Sequence, residues 1–420
     1  MEQGARSGAP LDSSTAHRSV ELAPQQREAL DAVRRWLDDS SAQVFRIFGP
    51  AGVGKTTLAR EVAAMRSAVR FGAYTGKAVH VLRQKGCRPA DTLHSLIYRP
   101  AGNDYAEALA EIDEQLAAPD LPQADRERLW LERQRITSAG TALRWERNDG
   151  GPLADDDLDL LICDEVSMVN DEMAHDLLSF GVRVLVLGDP EQLPPIRGEG
   201  FFTRAAPDVL LTEVHRQADG SPVLDLATRV RTGGGLPAGL ARTLTLDQLA
   251  GVDQVLCGTN RTRWALTTAL RARAGRPFGY PQPGDRIMCL QNNKSLGVFN
   301  GQQFAVEGMR FVMRQPVFEL DVVDDLGDRR ALRVFAAGFQ GQDGQDSLKR
   351  TGFSGDVAVM TFANAITVHK AQGSEWSSVA LAEESGVFTR HDADQGRRWL
   401  YTGITRASSE LSIFNPSAVR

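Results

Sequence analysis

The run Gly49-Pro50-Ala51-Gly52-Val53-Gly54-Lys55-Thr56 constrains this chain more than any other stretch. It follows a short apolar segment, Val44–Phe48, that reads as a buried strand, and it opens a segment of helical spacing from Lys55 to Met65. A glycine-rich turn between strand and helix lets backbone N–H groups close around phosphate oxygens, with the positive end of the helix dipole behind them. The same rhythm continues downstream. Val69–Tyr74, Leu158–Cys163 and Val182–Leu187 are apolar runs of strand length, the last two ending in acidic turns. The pattern predicts a parallel α/β sheet.

The chemistry at that turn follows from its residue types. Lys55 is placed to meet the β- and γ-phosphates of ATP, and the Thr56 hydroxyl to ligate Mg²⁺; Thr57 completes the phosphate-binding residues. The strand ending Ile162-Cys163-Asp164-Glu165 delivers two carboxylates beside the loop. Asp164 is the candidate second Mg²⁺ ligand, and Glu165 the candidate base for an attacking water. Gln25 and Gln26 precede the loop by about a helix's length, and an amide offers both a donor and an acceptor to an adenine edge.

The chain has 420 residues, long for a single core, so at least two domains are expected. Residues 1–20 are small and polar and read as a disordered tail. The α/β rhythm breaks twice. Charged helical segments fill about 98–157, and short alternating strands with Gly-rich turns fill about 281–356. Between and after these breaks come Gln254–Gly258, Arg261–Ala274, Ala358–Phe362, Gly396–Ser408 and Glu410–Phe414, read as strand, helix, strand, helix and strand. The four cysteines show no metal-binding spacing and fit a reduced, cytoplasmic setting, and no run is apolar enough to imply a membrane partner. A net charge of −6 counts against coating nucleic acid by bulk attraction and leaves room for a basic channel.

Further motifs narrow the class. Gly188-Asp189-Pro190-Glu191-Gln192, Val214-His215-Arg216-Gln217, Thr367-Val368-His369-Lys370-Ala371-Gln372-Gly373-Ser374-Glu375 and Tyr401-Thr402-Gly403-Ile404-Thr405-Arg406-Ala407 resemble motifs III to VI of superfamily 1 helicases. Asp164-Glu165-Val166-Ser167-Met168-Val169 is similar to motif II of the RecD-like and Dda-like branch. The resemblance implies two RecA-like P-loop domains: 21–205 with an inserted helical or hairpin arm at about 98–157, and 206–420 with an SH3-like β-barrel at about 281–356. It implies ATP in the cleft between them, Arg216 and Arg406 reaching across to the γ-phosphate, Gln192 sensing it, and Gln26 and Glu375 among the nucleotide contacts. On the other side, Thr75, Lys77, Thr92, His94, His369 and Lys370 are the implied contacts to single-stranded DNA.

The expected activity is 5′→3′ ATP-driven DNA unwinding, with the polarity taken from the resemblance alone. The expected partners are single-stranded DNA, duplex junctions and replication or repair proteins, and the expected state is a monomer. Two other readings stay open: a translocase subunit of a larger repair or nuclease complex, and a nucleotide-switched nucleic-acid-binding module. Within the first insertion, Tyr105, Leu109, Ile112 and Leu116 recur at helical spacing, and Trp145 follows a second helical stretch. That arm is expected to supply or support the fork wedge, or else to pack on the first domain or dock a partner.

Overall fold

The computed structural model describes residues 22–39, 41–100, 112, 114–116, 122, 125, 129, 145–195, 199–213, 221–276, 279–293, 296–312, 316–324, 327–341, 356–390 and 392–419. The expected tail, most of the expected arm, the Trp145 side chain and Arg216 lie outside what is described.

The first half contributes β1 (Val44–Phe48), β2 (Val69–Ala73), β3 (Ala90–Thr92), β4 (Tyr98–Pro100), β5 (Trp145–Arg147), β6 (Leu160–Asp164), β7 (Val184–Gly188) and β8 (Val209–Leu210). Six of them form a parallel sheet in the order β3-β2-β6-β7-β1-β8, while β4 and β5 pair antiparallel apart from it. The central strands β6 and β7 are almost wholly buried, because helices cover both faces. Val33, Leu58, Val62 and Leu82 close one face, and Leu93, Ile97, Ala174 and Phe202 close the other. The strand β8 pairs with β1, so this sheet runs past residue 205, where the sequence reading ended the first domain.

The second half contributes β9 (Gln254–Cys257), β10 (Arg286–Cys289), β11 (Gln303–Phe311), β12 (Val317–Asp324), β13 (Arg329–Phe335), β14 (Met360–Phe362), β15 (Ala365–Thr367), β16 (Trp376–Ala382) and β17 (Ala407–Phe414). Four of these make a second parallel sheet, β15-β9-β16-β17. The other five make an antiparallel sheet, β13-β12-β11-β10-β14. Its two ends approach each other, since Val334 at the end of β13 bridges Ala358, just before β14.

This corrects one assignment. The apolar run Ala358–Phe362 reads as a strand of the parallel domain, yet β14 pairs antiparallel with β10 through Ile287 and Phe362. The parallel strand is β15, which at three residues is too short to show a period. Its neighbour β16 also escapes sequence reading, because Ser377 and Ser378 interrupt its apolar run.

The antiparallel sheet has its own core of Phe304, Leu320, Val322, Leu332 and Phe339. A buried ion pair fastens it to the second parallel domain. Asp285, fully buried, accepts from Arg271 Nε at 3.0 Å and Nη2 at 2.9 Å, and Arg271 extends from the helix Asn260–Arg273. No helix among the described residues is long and apolar enough to cross a membrane.

Candidate functional site

The Gly49–Thr56 turn stands at the C-terminal end of β1, where ligands of open α/β sheets collect. Gly54 immediately precedes the helix Lys55–Ala63 with φ 81°, and a Cβ there would lie 2.3 Å from Gln26 Nε2. Only glycine fits both constraints. Lys55 Nζ folds back on the loop, donating to Gly49 O at 2.7 Å and Pro50 O at 2.9 Å. Gln26 is buried and spans the loop: its amide donates to Val53 O at 3.0 Å and accepts from Ala23 N at 3.0 Å. Each end of the amide keeps a further hydrogen-bonding position.

The end of β6 brings the carboxylates to the same place. The Thr56 hydroxyl donates to Asp164 Oδ2 at 3.4 Å, and Asp164 Oδ1 accepts the Glu165 N–H at 2.9 Å. A hydroxyl and a carboxylate this close form a hard-oxygen pair that fits Mg²⁺. Among the described residues, no cluster of three or more His, Cys, Asp or Glu forms a metal site without further oxygens. Glu165 has φ 55°, the left-handed region, where no other described non-glycine residue lies. A non-glycine residue there costs about 1–2 kcal/mol, strain of a kind that collects at functional sites. Burial pushes the Glu165 carboxyl above the usual range, Arg406 pulls it back, and Asp164 adds to the rise.

Arg406 reaches the cleft from the second sheet domain. Its guanidinium is buried and held by Thr402 O at 3.0 Å, Ser374 O at 3.0 Å and Thr405 Oγ1 at 3.2 Å. Gln192 is also buried, and its Oε1 accepts no hydrogen bond from any described residue. The result is a cleft of about 810 Å³ lined by Gln26, Lys55, Thr56, Asp164, Glu165 and Arg406, with Gln192 and Glu375 among its further walls.

A second groove, of about 580 Å³, also runs between the sheet domains. Thr75, Lys77, Thr367, His369 and Lys370 line it, with Asn300 and Gly301 from the antiparallel insertion. Lys370 Nζ donates to Asn300 Oδ1 at 3.2 Å. The insertion comes this close because Gly76 has no side chain: a Cβ there would lie 2.1 Å from Phe299 Cβ. Burial keeps the His369 imidazole below its usual pKa, which favours the neutral ring.

Most of the expected site residues therefore converge. Ala51, Gly52, Gly54 and Thr57 join those of the cleft. Gly49 N–H donates to Gly188 O, and Val53 is buried behind the loop. Two expected strand contacts sit elsewhere. Thr92 is buried, its hydroxyl capping the helix Leu93–Ile97 by accepting from Ser95 N at 3.2 Å. It lines a smaller cavity of about 200 Å³, and the His94 ring packs against Tyr98. Sequence reading missed Arg27 and Lys85, which line the cleft, and Tyr74, Asn260 and Gln395, which line the groove. Only Arg27 had a local signal, as the neighbour of Gln26 on the helix Pro24–Asp39.

Comparison with known proteins agrees with this geometry. A family described as an AAA domain matches residues 21–254, and one described as a UvrD-like helicase C-terminal domain matches residues 362–414. The ATP-dependent RecD2 DNA helicase of Deinococcus radiodurans is 29% identical over 290 residues, covering 59% of this chain and 35% of that protein. The RecBCD enzyme subunit RecD of Buchnera aphidicola is 28% identical over 141 residues, covering 32% of this chain and 18% of that one. The chain thus spans about a third or less of the length of these curated relatives. Among solved structures, Pif1 helicase from Bacteroides, in complex with ADP-AlF3 and ssDNA, superposes with a TM-score of 0.53 at 17% identity. That match covers 96% of this chain and 95% of the other. Pif1 helicase from Candida albicans superposes at 0.51 and 17% identity, covering 95% and 96%. At these identities the likeness establishes a shared two-domain α/β fold.

Proposed function

Since the chain belongs to the AAA-domain family, we propose that it is a superfamily 1 motor of the RecD-like branch that hydrolyses ATP, moves on single-stranded DNA and unwinds duplex. One observation carries the reading. Lys55, Asp164 and Glu165 from the first sheet domain share a cleft with Arg406 from the second, so closure around a nucleotide draws the two domains together.

In this reading Lys55 leaves the loop carbonyls for the β- and γ-phosphates, and Thr56 and Asp164 hold Mg²⁺. The metal would neutralise phosphate charge. Glu165 takes the proton of the attacking water, Arg406 stabilises charge developing on the γ-phosphoryl oxygens, and Gln192 turns its unused carbonyl to the water. Arg216 would be a second arginine at the same phosphate, and Gln26 would use its remaining donor and acceptor for adenine. The groove beside the cleft takes the strand, with Thr75, Lys77, His369 and Lys370 on its phosphates. The antiparallel insertion is proposed as an SH3-like barrel covering that strand, supported by the Val334–Ala358 bridge between its ends. The domain limits proposed are those of the sequence reading, with the first sheet extended through Leu210. The four described cysteines are buried and free, in keeping with a reducing cytoplasm, and the proposed working unit is a monomer.

A strand-displacement assay tests the reading. The chain with ATP and Mg²⁺ should release the displaced strand from a duplex bearing a 5′ single-stranded tail, and not from one bearing only a 3′ tail. Release from the 3′-tailed substrate alone would reverse the polarity, and release from neither would remove unwinding. Salt dependence tests the groove. The log–log slope of ssDNA affinity against salt should be about −0.7 per phosphate contacted, and Lys77→Ala and Lys370→Ala should each flatten it. An unchanged slope in both variants would move the strand to another surface.

A further inference from the structure

The loop that leaves β7 begins beside the nucleotide cleft and reaches the strand groove, and the second domain grips it at Asp189, Pro190, Glu191 and Leu193. Gly188 is bonded to Gly49 of the phosphate loop, whereas Leu193, Pro194 and Pro195 line the groove. Between these ends the helix Ala393–Ile404 holds the loop at successive residues. The Tyr401 hydroxyl donates to Asp189 Oδ2 at 2.7 Å, Arg398 Nη1 to Pro190 O at 2.9 Å, and Arg397 Nη1 to Glu191 Oε2 at 2.5 Å. The Thr402 hydroxyl accepts from Leu193 N at 2.9 Å, and Gln372 Nε2 donates to Leu193 O at 2.9 Å. Gln192 lies between the grips on Glu191 and Leu193.

Most of these bonds need only the helix nearby, but the Tyr401–Asp189 bond is different in kind. Tyr401 is almost fully buried and Asp189 nearly so, so a carboxylate sits in the domain interface where water cannot replace a lost partner. One phenol from the second domain therefore holds the loop that meets the phosphate loop at Gly188 and reaches the groove at Leu193. On the same stretch of chain, Thr402 O holds Arg406 in the cleft. A shift of Arg406 toward a nucleotide that keeps its bond to Thr402 O carries the Tyr401 segment with it, and through Tyr401 the Asp189 end of the loop.

We propose that Tyr401, acting through Asp189, is a positioning residue that links events in the nucleotide cleft to the strand groove. This rests on the motor reading above, and the test separates the two.

Tyr401→Phe keeps the ring in the core and removes only the hydroxyl. The ratio of ssDNA-stimulated to unstimulated ATP turnover should fall by about tenfold, within the range for coupling between sites. Base pairs displaced per ATP hydrolysed should fall with it. Asp189→Ala should lower the same ratio, and the double variant should lower it no further than either single change, because both act through one bond. The inference is overturned by additive losses in the double variant. It is also overturned if Tyr401→Phe lowers thermal stability and scales stimulated and unstimulated turnover equally, as a purely structural residue would. A wild-type chain whose turnover ignores ssDNA overturns the motor reading and this inference together, whereas an unaffected ratio in Tyr401→Phe overturns this inference alone.

Discussion

Replacing Arg406 with alanine lowers the turnover number for ATP by about 10³-fold or more, with a much smaller change in nucleotide affinity. The expectation rests on where the guanidinium is held. Three protein oxygens fix it in the wall of the cleft, so its orientation is set before any substrate arrives. Its charge already acts on Glu165 across the domain boundary. A cation fixed in this way gains most when negative charge builds up on the transferring phosphoryl group, and less when ATP merely binds. Arg406→Lys should recover little, since an ammonium cannot make the same three bonds from the same position. Steady-state kinetics at saturating ssDNA, with nucleotide affinity measured separately, checks this. A variant that loses mainly affinity would make Arg406 a binding residue.

Glu165→Gln should retain nucleotide binding and lose turnover by roughly 10²–10⁴-fold, the contribution of a positioned general base. The amide keeps the shape and the left-handed backbone but accepts no proton. The pH dependence carries the same information with a definite sign. Burial raises the Glu165 pKa, and a base works only when deprotonated. Wild-type kcat/KM should therefore fall on the acid side through a midpoint above the ordinary glutamate value of about 4.3. That acid limb should vanish from the residual activity of the glutamine variant. Near-normal turnover in Glu165→Gln would assign the proton to another group.

The parts legible in the sequence are those in which chemistry and local structure coincide. The phosphate loop announces itself because glycines, lysine and threonine must follow one another directly between a strand and a helix, and the structure keeps that order from Val44 to Ala63. Asp164 and Glu165 end a strand whose apolar run is unmistakable. Residues used across long sequence distances were legible only as motif text. The Arg406 environment depends on Ser374 and Thr402, and nothing local predicts that Tyr401 meets Asp189. Lys85 escaped notice because it reaches the cleft from the C-terminal end of the helix Gly76–Gln84. Thr92 reads two ways for a physical reason: a threonine before a helix suits phosphate contact and helix capping equally, and the structure shows the cap. The short strand β15 and the serine-interrupted β16 carry no period to read, so the apolar run of β14 reads as their place in the parallel sheet.

The most direct test of a motor built around this cleft and groove is ATP turnover by the intact chain, measured with Mg²⁺ across a titration of single-stranded DNA, with RNA and blunt duplex in parallel. Coupling between the two sites requires turnover to rise steeply and saturably with ssDNA, and to rise far less with blunt duplex. Turnover that proceeds at one rate whatever nucleic acid is present would contradict it.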